Sequence, residues 1–482
     1  MADHDLSSTA SLYIAGEWCP PAEGSQREVR NPADGSLVAA IGYGGRAEAL
    51  AAAAAAQDAF PAWAGLPARA RADLLLRASL LLQERAERIG YLLALESGKR
   101  LPEAVAEVRF AVEYLRWFAE QVRRPAGDLL RSESAQRRQL TLRQPCGVAL
   151  CLTPWNFPVS IQARKIAAAL AAGCTIVSRP SEKAPLAVIE LFRCLHEAGL
   201  PPGVANLVHG PAAEITETLL QHPAVRVVSF TGSTEVGRQI MRQAAERVVR
   251  PLLELGGNAP FIVFADADLE RAVEGAMLAK FRNNGQSCIA ANRFYVEAPI
   301  FAKFVERFAA RINAMRVGNP VQEPIPDLGP VIDEQRQQAL TRLVEEAQAQ
   351  GARVVTEAVT VPAQGTFVAP VLLVDLPVES ALAQEEIFGP VALVFPFETE
   401  EEVIARANAG EMGLAAYFYT RQLERSWRVA EALEAGIIGL NSPLPSVAYA
   451  PMGGVKQSGL GREGSYEGLD EFQEVKYLSC EW

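Results

Sequence analysis

The chain has 482 residues, of which 49% are apolar and 21% charged, and its formal net charge at pH 7 is −11. This length predicts about two to three domains with large cores, and the composition is typical of a soluble globular protein. The acidic charge argues against a nucleic acid or an anionic membrane as the main partner.

The N-terminal stretch is polar, and the longest apolar runs, such as 166–174, are too short for a transmembrane helix. We therefore expect no signal peptide, no membrane partner and a cytoplasmic location. The seven cysteines form neither a CxxC pair nor a Cys/His metal spacing, which predicts no disulfide framework and no metal site. The four histidines all lie before residue 223, so a nucleophilic cysteine late in the chain would need a carboxylate as its base.

The N-terminal part of the chain has helical patterns. An alanine-rich helix is predicted over 46–58, a long helical stretch from about 68 to 98, and a further helix over 102–122. The segment 131–145 is polar with alternating character. It fits either an edge strand that reaches another subunit or a surface connection, and the sequence favours neither.

From residue 146 onward, short apolar runs alternate with helical stretches, which indicates parallel βαβ units in doubly wound sheets. The first series predicts strands at 147–153, 174–178, 205–209 and 225–230, and helices at 159–172, 184–198, 212–220 and 235–247. The second series predicts strands at 261–265, 293–297, 353–357, 371–376 and 391–397, and helices at 268–281, 299–314, 333–350 and 400–408. Such sheets bind ligands at the carboxyl ends of their strands.

Two loops after predicted strands carry polar side chains. In TPWNFP (153–158), prolines stiffen the turn around Asn156, whose fixed amide would suit an oxyanion. The alternative is a packed turn in which this asparagine bonds the backbone. In SRPSEKAPL (178–186), Arg179 and Glu182 follow a strand where a dinucleotide fold meets the adenosine ribose, although a solvated loop fits equally.

Three further motifs carry candidate chemistry. In VVSFTGSTEVGRQI (227–240), a glycine turn opens a helix whose N-terminus can hold a phosphate, or is simply capped by its serine. Glu254 ends an apolar run, and a carboxylate in apolar surroundings suits a general base, whereas a paired structural glutamate is the alternative. Cys288 lies in the polar turn NNGQSC, which keeps a thiol accessible, although most such cysteines are structural.

Together and in this order, the motifs resemble those of the aldehyde dehydrogenase superfamily. The resemblance covers about residues 11–480 and is greatest to the succinate-semialdehyde dehydrogenases, on LELGGNAPFIVF (253–264) and AKFRNNGQSC (279–288). The other matching stretches are TPWNFP, the RPSE loop, FTGSTEVG, EEIFGP (385–390) and PMGGVKQSGLGRE (451–463).

The resemblance implies an α/β fold of three parts: a doubly wound parallel-sheet dinucleotide-binding domain, a second α/β catalytic domain and a small β oligomerisation arm. A homodimer or homotetramer is then expected. The implied boundaries are 1–122 and 145–254 for the dinucleotide-binding domain, 255–440 for the catalytic domain, 123–144 and 465–482 for the arm, and 441–464 for a substrate-anchoring loop that returns to the cofactor domain.

The resemblance also implies residue roles. Cys288 would attack the aldehyde as a thiolate, the Asn156 amide would hold the oxyanion, and Glu254 would activate the water that hydrolyses the thioester. NAD is the expected cofactor, because Glu182 would repel a 2′-phosphate, and NADP is the alternative because of Arg179. The implied cofactor contacts are Thr153, Pro154, Trp155, Arg179, Ser181, Glu182, Gly232, Ser233, Leu255, Glu386 and Phe388.

The expected substrate is a small semialdehyde, with succinate semialdehyde favoured. By the resemblance, Arg164, Arg282 and Ser446 would bind its distal carboxylate, and two guanidiniums in a water-poor pocket favour such a group. The alternative is that the arginines are structural ion-pair partners. Met452 replaces a usual phenylalanine, which keeps glutarate and 2-oxoglutarate semialdehydes, or a broader aldehyde specificity, as alternatives. Ala290 excludes a local disulfide with Cys288.

Overall fold

A computed structural model describes residues 11–22, 24–124 and 126–482. The helices are α1 Arg46–Ala64, α2 Ala68–Glu84, α3 Ala86–Ser97, α4 Leu101–Gln121, α5 Pro158–Ala172, α6 Leu186–Glu197, α7 Ala212–Gln221, α8 Thr234–Ala245, α9 Leu269–Phe281, α10 Ala298–Asn313, α11 Glu334–Ala349, α12 Glu400–Asn408, α13 Leu423–Ala432 and α14 Glu467–Asp470. Short 3₁₀ helices span Arg282–Gly285 and Ala381–Ala383. Within these ranges, none of the helices is long and apolar enough to span a bilayer.

The strands form two large sheets, a three-stranded sheet and two antiparallel pairs, β3 with β4 and β17 with β20. They are β1 Leu12–Ile14, β2 Glu17–Cys19, β3 Gln26–Arg30, β4 Leu37–Gly42, β5 Leu129–Leu130, β6 Arg137–Pro145, β7 Val148–Thr153, β8 Thr175–Pro180, β9 Ala205–Leu207, β10 Val225–Thr231, β11 Arg250–Glu254, β12 Ala259–Val263, β13 Ala291–Glu297, β14 Arg353–Val354, β15 Val371–Val374, β16 Val391–Phe397, β17 Met412–Gly413, β18 Ala415–Tyr419, β19 Ile437–Leu440, β20 Val455–Lys456, β21 Gly459–Leu460 and β22 Gln473–Glu481.

The first large sheet has the strand order β2-β1-β9-β8-β7-β10-β11-β21, and its centre from β9 to β11 is parallel. Strand β7 shows why both faces are covered. Its residues Ala149 and Cys151 pack in the core with helices α4, α5 and α6, whereas Val148, Leu150 and Leu152 pack with α1, α7 and α8. A strand that is apolar on both faces is typical of a parallel sheet between two helical layers.

The second large sheet has the order β14-β15-β16-β13-β12-β18-β19 and is parallel from β15 to β19. Helices α9 and α10 pack on one face, and α11, α12 and α13 pack on the other. Only the link 255–258 separates β11, in the first sheet, from β12, in the second. The amino edge of the second sheet therefore lies against the carboxyl edge of the first.

The three-stranded sheet has the order β22-β6-β5 and is antiparallel. Strand β6 covers most of the segment 131–145, for which the sequence left a strand and a surface connection open. It is a strand, but it is the central one, because the C-terminal β22 pairs along its whole length from Gln473 to Glu481. One edge of this sheet is therefore the chain's own C-terminal strand, and the other is the two-residue β5.

Most predicted elements of both α/β series are present, with ends that differ by one to a few residues. The prediction of one helical stretch from 68 to 98 was wrong, because the backbone leaves the helical region at Arg85, with φ −97° and ψ 6°, and separates α2 from α3. The run at 353–357 contributes only the two-residue β14. Strands β11, β18 and β19 were not predicted, and β11 is important because it carries Glu254 at its end.

Candidate active site

The first sheet has its topological switch point between β7 and β10. From β7 the chain continues to β8 and β9 on one side, and it later adds β10 and β11 on the other. The loops after β7 and β10 therefore diverge and leave a crevice, where open α/β sheets bind ligands. A cavity of about 240 Å³ lies there, lined by Pro154, Trp155, Asn156, Thr231, Gly232, Ser233, Leu255, Gly256, Cys288, Arg336, Glu386 and Phe388.

Cys288 follows a turn of three successive residues with left-handed backbone. The φ angles are 53° at Asn283, 57° at Asn284 and 76° at Gly285, a region that asparagine and glycine tolerate best. Asn283 Nδ2 donates to the carbonyls of Asn156 and Gln286, at 3.0 and 2.9 Å. Asn284 is likewise bonded on both sides of its amide. These bonds hold the turn that carries the thiol.

The Cys288 thiol donates a hydrogen bond to Glu254, with 3.1 Å between Sγ and Oε1. Thirty-four residues separate the two in the chain, and the contact forms because Glu254 ends β11 while Cys288 precedes β13. Burial, followed by the Glu254 charge, raises the pKa of the thiol well above its usual range. Cys288 therefore rests as a thiol, and its proton lies within hydrogen-bonding distance of the Glu254 carboxyl group, so that it can pass directly to Oε1.

Glu254 is buried, with only 1% of its surface exposed. The sequence left apolar surroundings and a paired glutamate open, and the structure shows the second, because the carboxylate has an ionic partner. Glu254 Oε2 lies 2.5 Å from Arg164 Nη2 and accepts a hydrogen bond from Thr231 at 3.1 Å. Arg164 also forms an ion pair with Glu463, at 2.6 Å from Nε to Oε2. The guanidinium predicted to await a substrate carboxylate is thus paired with two carboxylates of the chain.

Asn156, the predicted oxyanion donor, is buried beside Cys288. Its Nδ2 donates to the Gln286 carbonyl at 3.2 Å, and the Asn156 backbone carbonyl accepts a hydrogen bond from Lys99 Nζ at 2.8 Å. Lys99 also pairs with Glu107, whose carboxylate accepts hydrogen bonds from the backbone of the helix that follows Asn156. A fully buried ion pair therefore fixes the turn that carries the amide.

The other two predicted substrate residues are partly exposed. The Arg282 guanidinium lies 5.1 Å from the Phe157 ring centroid, one residue from Asn156, and the Lys99 ammonium lies 3.9 Å from the same ring. Ser446 belongs to the loop 441–454, which packs on helix α4 through Tyr449 and Trp117, whose ring centroids are 6.2 Å apart. Their predicted substrate contacts stay predictions.

Glu386 and Phe388, predicted to contact the nicotinamide ribose and ring, both line the 240 Å³ cavity. Glu386 accepts a hydrogen bond from the Gly257 backbone N–H at 3.2 Å. Burial raises the pKa of Glu386 to about 7, against the opposing charges of Arg336 and Lys280. The Phe388 ring meets the Trp155 ring edge-on, with 5.5 Å between centroids, which closes this part of the cavity.

A second cavity, of about 230 Å³, continues along the first sheet and is lined by Thr153, Arg179 and residues of α7 and α8. The Arg179 guanidinium pairs with Glu182 at 2.6 Å and donates to the Gly210 carbonyl at 2.7 Å. The Arg179 charge holds the pKa of Glu182 below its usual range against the opposing effect of burial, which is the largest single influence. A carboxylate and a guanidinium thus stand together where the adenosine ribose is expected.

Most of the remaining predicted cofactor residues line one of the two cavities. Ser233 caps helix α8, with its Oγ accepting the Val236 N–H at 3.4 Å, and Gly232 precedes it in the cavity wall. The Leu255 backbone N–H donates a hydrogen bond to the backbone carbonyl of Ser458. Thr153 accepts Ser181 N–H on its carbonyl, which ties the ends of β7 and β8 together. Pro154 and Trp155 line the first cavity.

Sequence reasoning missed several residues of this region. Arg336 lines the cavity, and its Nε is buried with no hydrogen-bond partner among the described residues. Nothing in the sequence around 333–350 sets it apart from a surface helix. Lys165 and Glu463 form a buried pair beside Arg164. Glu463 lies at the end of the matching stretch 451–463, and a carboxylate there was the available signal.

Comparisons with known proteins agree with this geometry. Residues 18–478 match the aldehyde dehydrogenase family. A glutarate-semialdehyde dehydrogenase of Pseudomonas putida KT2440 is 44% identical over 97% of this chain and 96% of that protein. The succinate-semialdehyde dehydrogenase [NADP(+)] GabD of Escherichia coli K12 is 43% identical over 96% of each chain.

Among solved structures, a succinate-semialdehyde dehydrogenase from Burkholderia pseudomallei is similar with a TM-score of 0.97 and 42% identity, covering 100% of both chains. This match confirms the predicted fold class, and the sequence matches confirm the resemblance on which the predicted enzyme class depends. The chain belongs to the aldehyde dehydrogenase family.

Proposed function

We propose that the protein is an NAD(P)-dependent dehydrogenase that oxidises a small semialdehyde to its carboxylic acid, with succinate semialdehyde favoured. The observation that carries this proposal is the contact of 3.1 Å between Cys288 Sγ and Glu254 Oε1 at the inner end of the cavity. A thiol beside a carboxylate supplies a nucleophile and a base in one pair. Relatives named for succinate and glutarate semialdehydes at 43% and 44% identity support the substrate class.

The chain's own groups supply the nucleophile, the base and the oxyanion donors, whereas the hydride acceptor would be the nicotinamide. The proton of Cys288 passes to Glu254, and the thiolate attacks the aldehyde carbon to give a thiohemiacetal. Asn156 Nδ2, released from its bond to the Gln286 carbonyl, and the Cys288 backbone N–H stabilise the oxyanion. Loss of a hydride, for which the bound nicotinamide would be the acceptor, gives the thioester. Glu254 then returns the Cys288 proton to solvent and takes a proton from water, and this water attacks the acyl carbon and expels the Cys288 thiolate, which releases the acid.

The two cavities fit a dinucleotide at the switch point. The N-terminus of α8 offers free backbone N–H groups to a pyrophosphate, and Glu386 offers a buried carboxylate to a ribose. The nicotinamide, when bound, would supply the hydride acceptor. Glu182 favours NAD because its charge would repel a 2′-phosphate, whereas Arg179 beside it would attract one, so NADP is the alternative.

Arg282 supports a carboxylated substrate. Its guanidinium is partly exposed and packs on the ring of Phe157, the residue after Asn156. A charge-assisted bond to a guanidinium discriminates strongly between carboxylated and plain aldehydes. Glutarate and 2-oxoglutarate semialdehydes, or a broader range of aldehydes, are the alternatives. We expect the preferred chain length of the substrate to depend on Ser446 and the loop 441–454.

The test is the formation of reduced nicotinamide by purified protein with succinate, glutarate and 2-oxoglutarate semialdehydes and with propanal, each with NAD and NADP. We expect kcat/KM for one carboxylated aldehyde to exceed that for propanal by about tenfold or more, the effect of one charge-assisted hydrogen bond. Equal values for propanal and the semialdehydes would refute the substrate class.

Matched variants identify the residue responsible. Arg282→Gln should raise KM for the semialdehyde and leave KM for propanal unchanged. Arg353→Gln is the control. Arg353 lies on the edge strand β14 of the second sheet, where its exposed side chain pairs with Asp375. If Arg282→Gln affects propanal as much as the semialdehyde, Arg282 is structural.

We further propose that copies of the chain associate as a dimer or tetramer, and that the arm consists of 123–144 and 465–482. Strand β22 has an unpaired edge among the described residues, and Val475 and Tyr477 on it are 61% and 54% exposed. An exposed apolar edge strand is a template for pairing with another chain. Light scattering of the wild type and of Val475→Lys should show a larger assembly only for the wild type.

We propose likewise that residues 1–122 and 145–254 form the cofactor domain, 255–440 the catalytic domain, and 441–464 the return through the anchoring loop. Residues 1–10 and 23 lie outside the described part of the chain. The location of each sheet supports this division. The predicted cytoplasmic location stays a prediction.

A further inference from the structure

Lys183 and Asp333 join the loop after strand β8 to the start of helix α11. Lys183 Nζ lies 2.5 Å from Asp333 Oδ2, and the two side chains are 40% and 31% exposed. The loop follows a strand of the first sheet, whereas α11 packs on the second sheet. Among the described residues, no other hydrogen bond or ion pair connects the loop 178–186 to this helix.

Both ends of this ion pair are held by the backbone around them. Asp333 caps α11, because its Oδ1 accepts a hydrogen bond from the Arg336 N–H at 2.8 Å. The Lys183 N–H donates to Ser181 Oγ at 3.3 Å, and the Ser181 N–H donates to the Thr153 carbonyl at the end of β7. The ion pair therefore constrains the distance between two ordered segments, although each of its side chains is partly exposed.

The same two segments form walls of the two cavities. Arg179, which precedes Lys183 in the same loop, lines the cavity of about 230 Å³ where the adenosine ribose is expected. Arg336, in the first turn of α11, lines the cavity of about 240 Å³ together with Glu386. A dinucleotide that occupies both cavities therefore lies between the segments that Lys183 and Asp333 connect.

We propose that Lys183 and Asp333 form a clasp across the bound cofactor, and that this clasp has to open before the cofactor can leave. The inference rests on the proposed function, because it needs a dinucleotide in both cavities. The loop and the helix must move apart to let so long a ligand out, and this separation breaks the ion pair. The clasp thus adds to the barrier for a conformational step of the kind that often limits cofactor release.

The position of the pair determines what it changes. Neither Lys183 nor Asp333 is among the residues that line the two cavities. The pair therefore stabilises the closed cleft to the same extent with and without the cofactor, and it slows entry and release by the same factor. A side chain that contacts the cofactor would change its affinity instead. An exposed ion pair is worth at most about a fivefold change in a rate, and we expect about threefold here.

The experiment measures both rates by stopped-flow fluorescence of NADH and NADPH, without any aldehyde. Lys183→Gln removes the cation, and Asp333→Asn removes the charge while it keeps the cap, because asparagine caps helices as well as aspartate does. Each variant should have association and dissociation rate constants about threefold above those of the wild type, with an unchanged Kd. The double variant should show no further increase, because either change alone already breaks the pair.

Three controls separate the clasp from general effects of charge. Lys183→Arg keeps the cation and should keep the wild-type rates. Arg353→Gln should also keep them, although it removes an exposed ion pair of the same kind with Asp375. Added salt should accelerate release more in the wild type than in Lys183→Gln, because only the wild type has this pair to screen.

Two results would overturn the clasp. The first is wild-type rates in Lys183→Gln, in Asp333→Asn and in the double variant. The second is a change confined to Lys183→Gln that comes with weaker binding, since Lys183 would then contact the cofactor itself, and a greater loss for NADPH than for NADH would identify the 2′-phosphate as that contact. Either result leaves the proposed function standing, whereas a wild type that binds neither NADH nor NADPH would remove both.

Discussion

The buried pair of Lys99 and Glu107 should be required both for stability and for the position of Asn156. Lys99 Nζ contacts Glu107, the Asn156 carbonyl at 2.8 Å and the Phe157 ring at 3.9 Å, with no exposed surface. Lys99→Met removes the cation and leaves Glu107 charged and buried. Removing one partner of a buried pair costs about 3–5 kcal/mol in the free energy of unfolding.

The structure refines this range. Glu107 keeps two hydrogen bonds, from the backbone N–H groups of Val159 and Ser160 at 3.0 and 3.3 Å, so we expect the lower end, about 3 kcal/mol. The double variant Lys99→Met/Glu107→Gln has no unpaired charge. It should lose only about 1 kcal/mol, the value of the missing hydrogen bond to the Asn156 carbonyl.

The assay is urea unfolding of the wild type, both single variants and the double variant, followed by tryptophan fluorescence. Steady-state kinetics on the same proteins should show kcat reduced in all three variants, since each loosens the turn that carries Asn156. A Lys99→Met protein within about 1 kcal/mol of the wild type, or a double variant no more stable than the single one, would refute the reasoning.

Three further predictions concern the site directly. Cys288→Ala should abolish turnover while the dissociation constant of reduced nicotinamide, measured by fluorescence titration, stays unchanged; turnover that survived would exclude the thiol mechanism. Asn156→Ala should lower kcat by about 10²–10³-fold with little effect on cofactor binding, as for other oxyanion donors, and a change confined to KM would contradict that role. Because burial raises the pKa of Glu386 to about 7, the carboxylate gains a proton as the pH falls through that value. The KM for the cofactor should then rise, and Glu386→Gln should show no such pH dependence if this group is responsible.

The alternation of apolar runs and helical stretches predicted the two parallel sheets well. A strand that is buried on both faces is a continuous apolar run, which is easily recognised in the sequence. Strand β7 is such a run, and its boundaries differ from the prediction by one residue. The break at Arg85 has no signal in the sequence. Helices α2 and α3 have similar compositions, and no proline or glycine lies between them.

The site was predicted in part for a similar reason. Motif order identified Cys288, Asn156 and Glu254, but the partners of those residues come from distant segments. Arg164 was expected to be available to a substrate, and only the fold shows that it meets Glu254 and Glu463, 90 and about 300 residues away. Arg336 enters the cavity from a helix whose sequence is that of an ordinary amphipathic surface helix.

The left-handed turn before Cys288 has a consequence for how the protein matures. Its hydrogen bonds come from segments 46, 127 and 186 residues away, so the turn cannot form until those segments have docked. In a nascent chain in which this region has just been synthesised, Cys288 is an ordinary thiol in a segment that has not yet folded. The contact between Cys288 and Glu254 is thus formed only at the end of folding, and a misfolded or unfinished copy does not present its thiol beside a carboxylate.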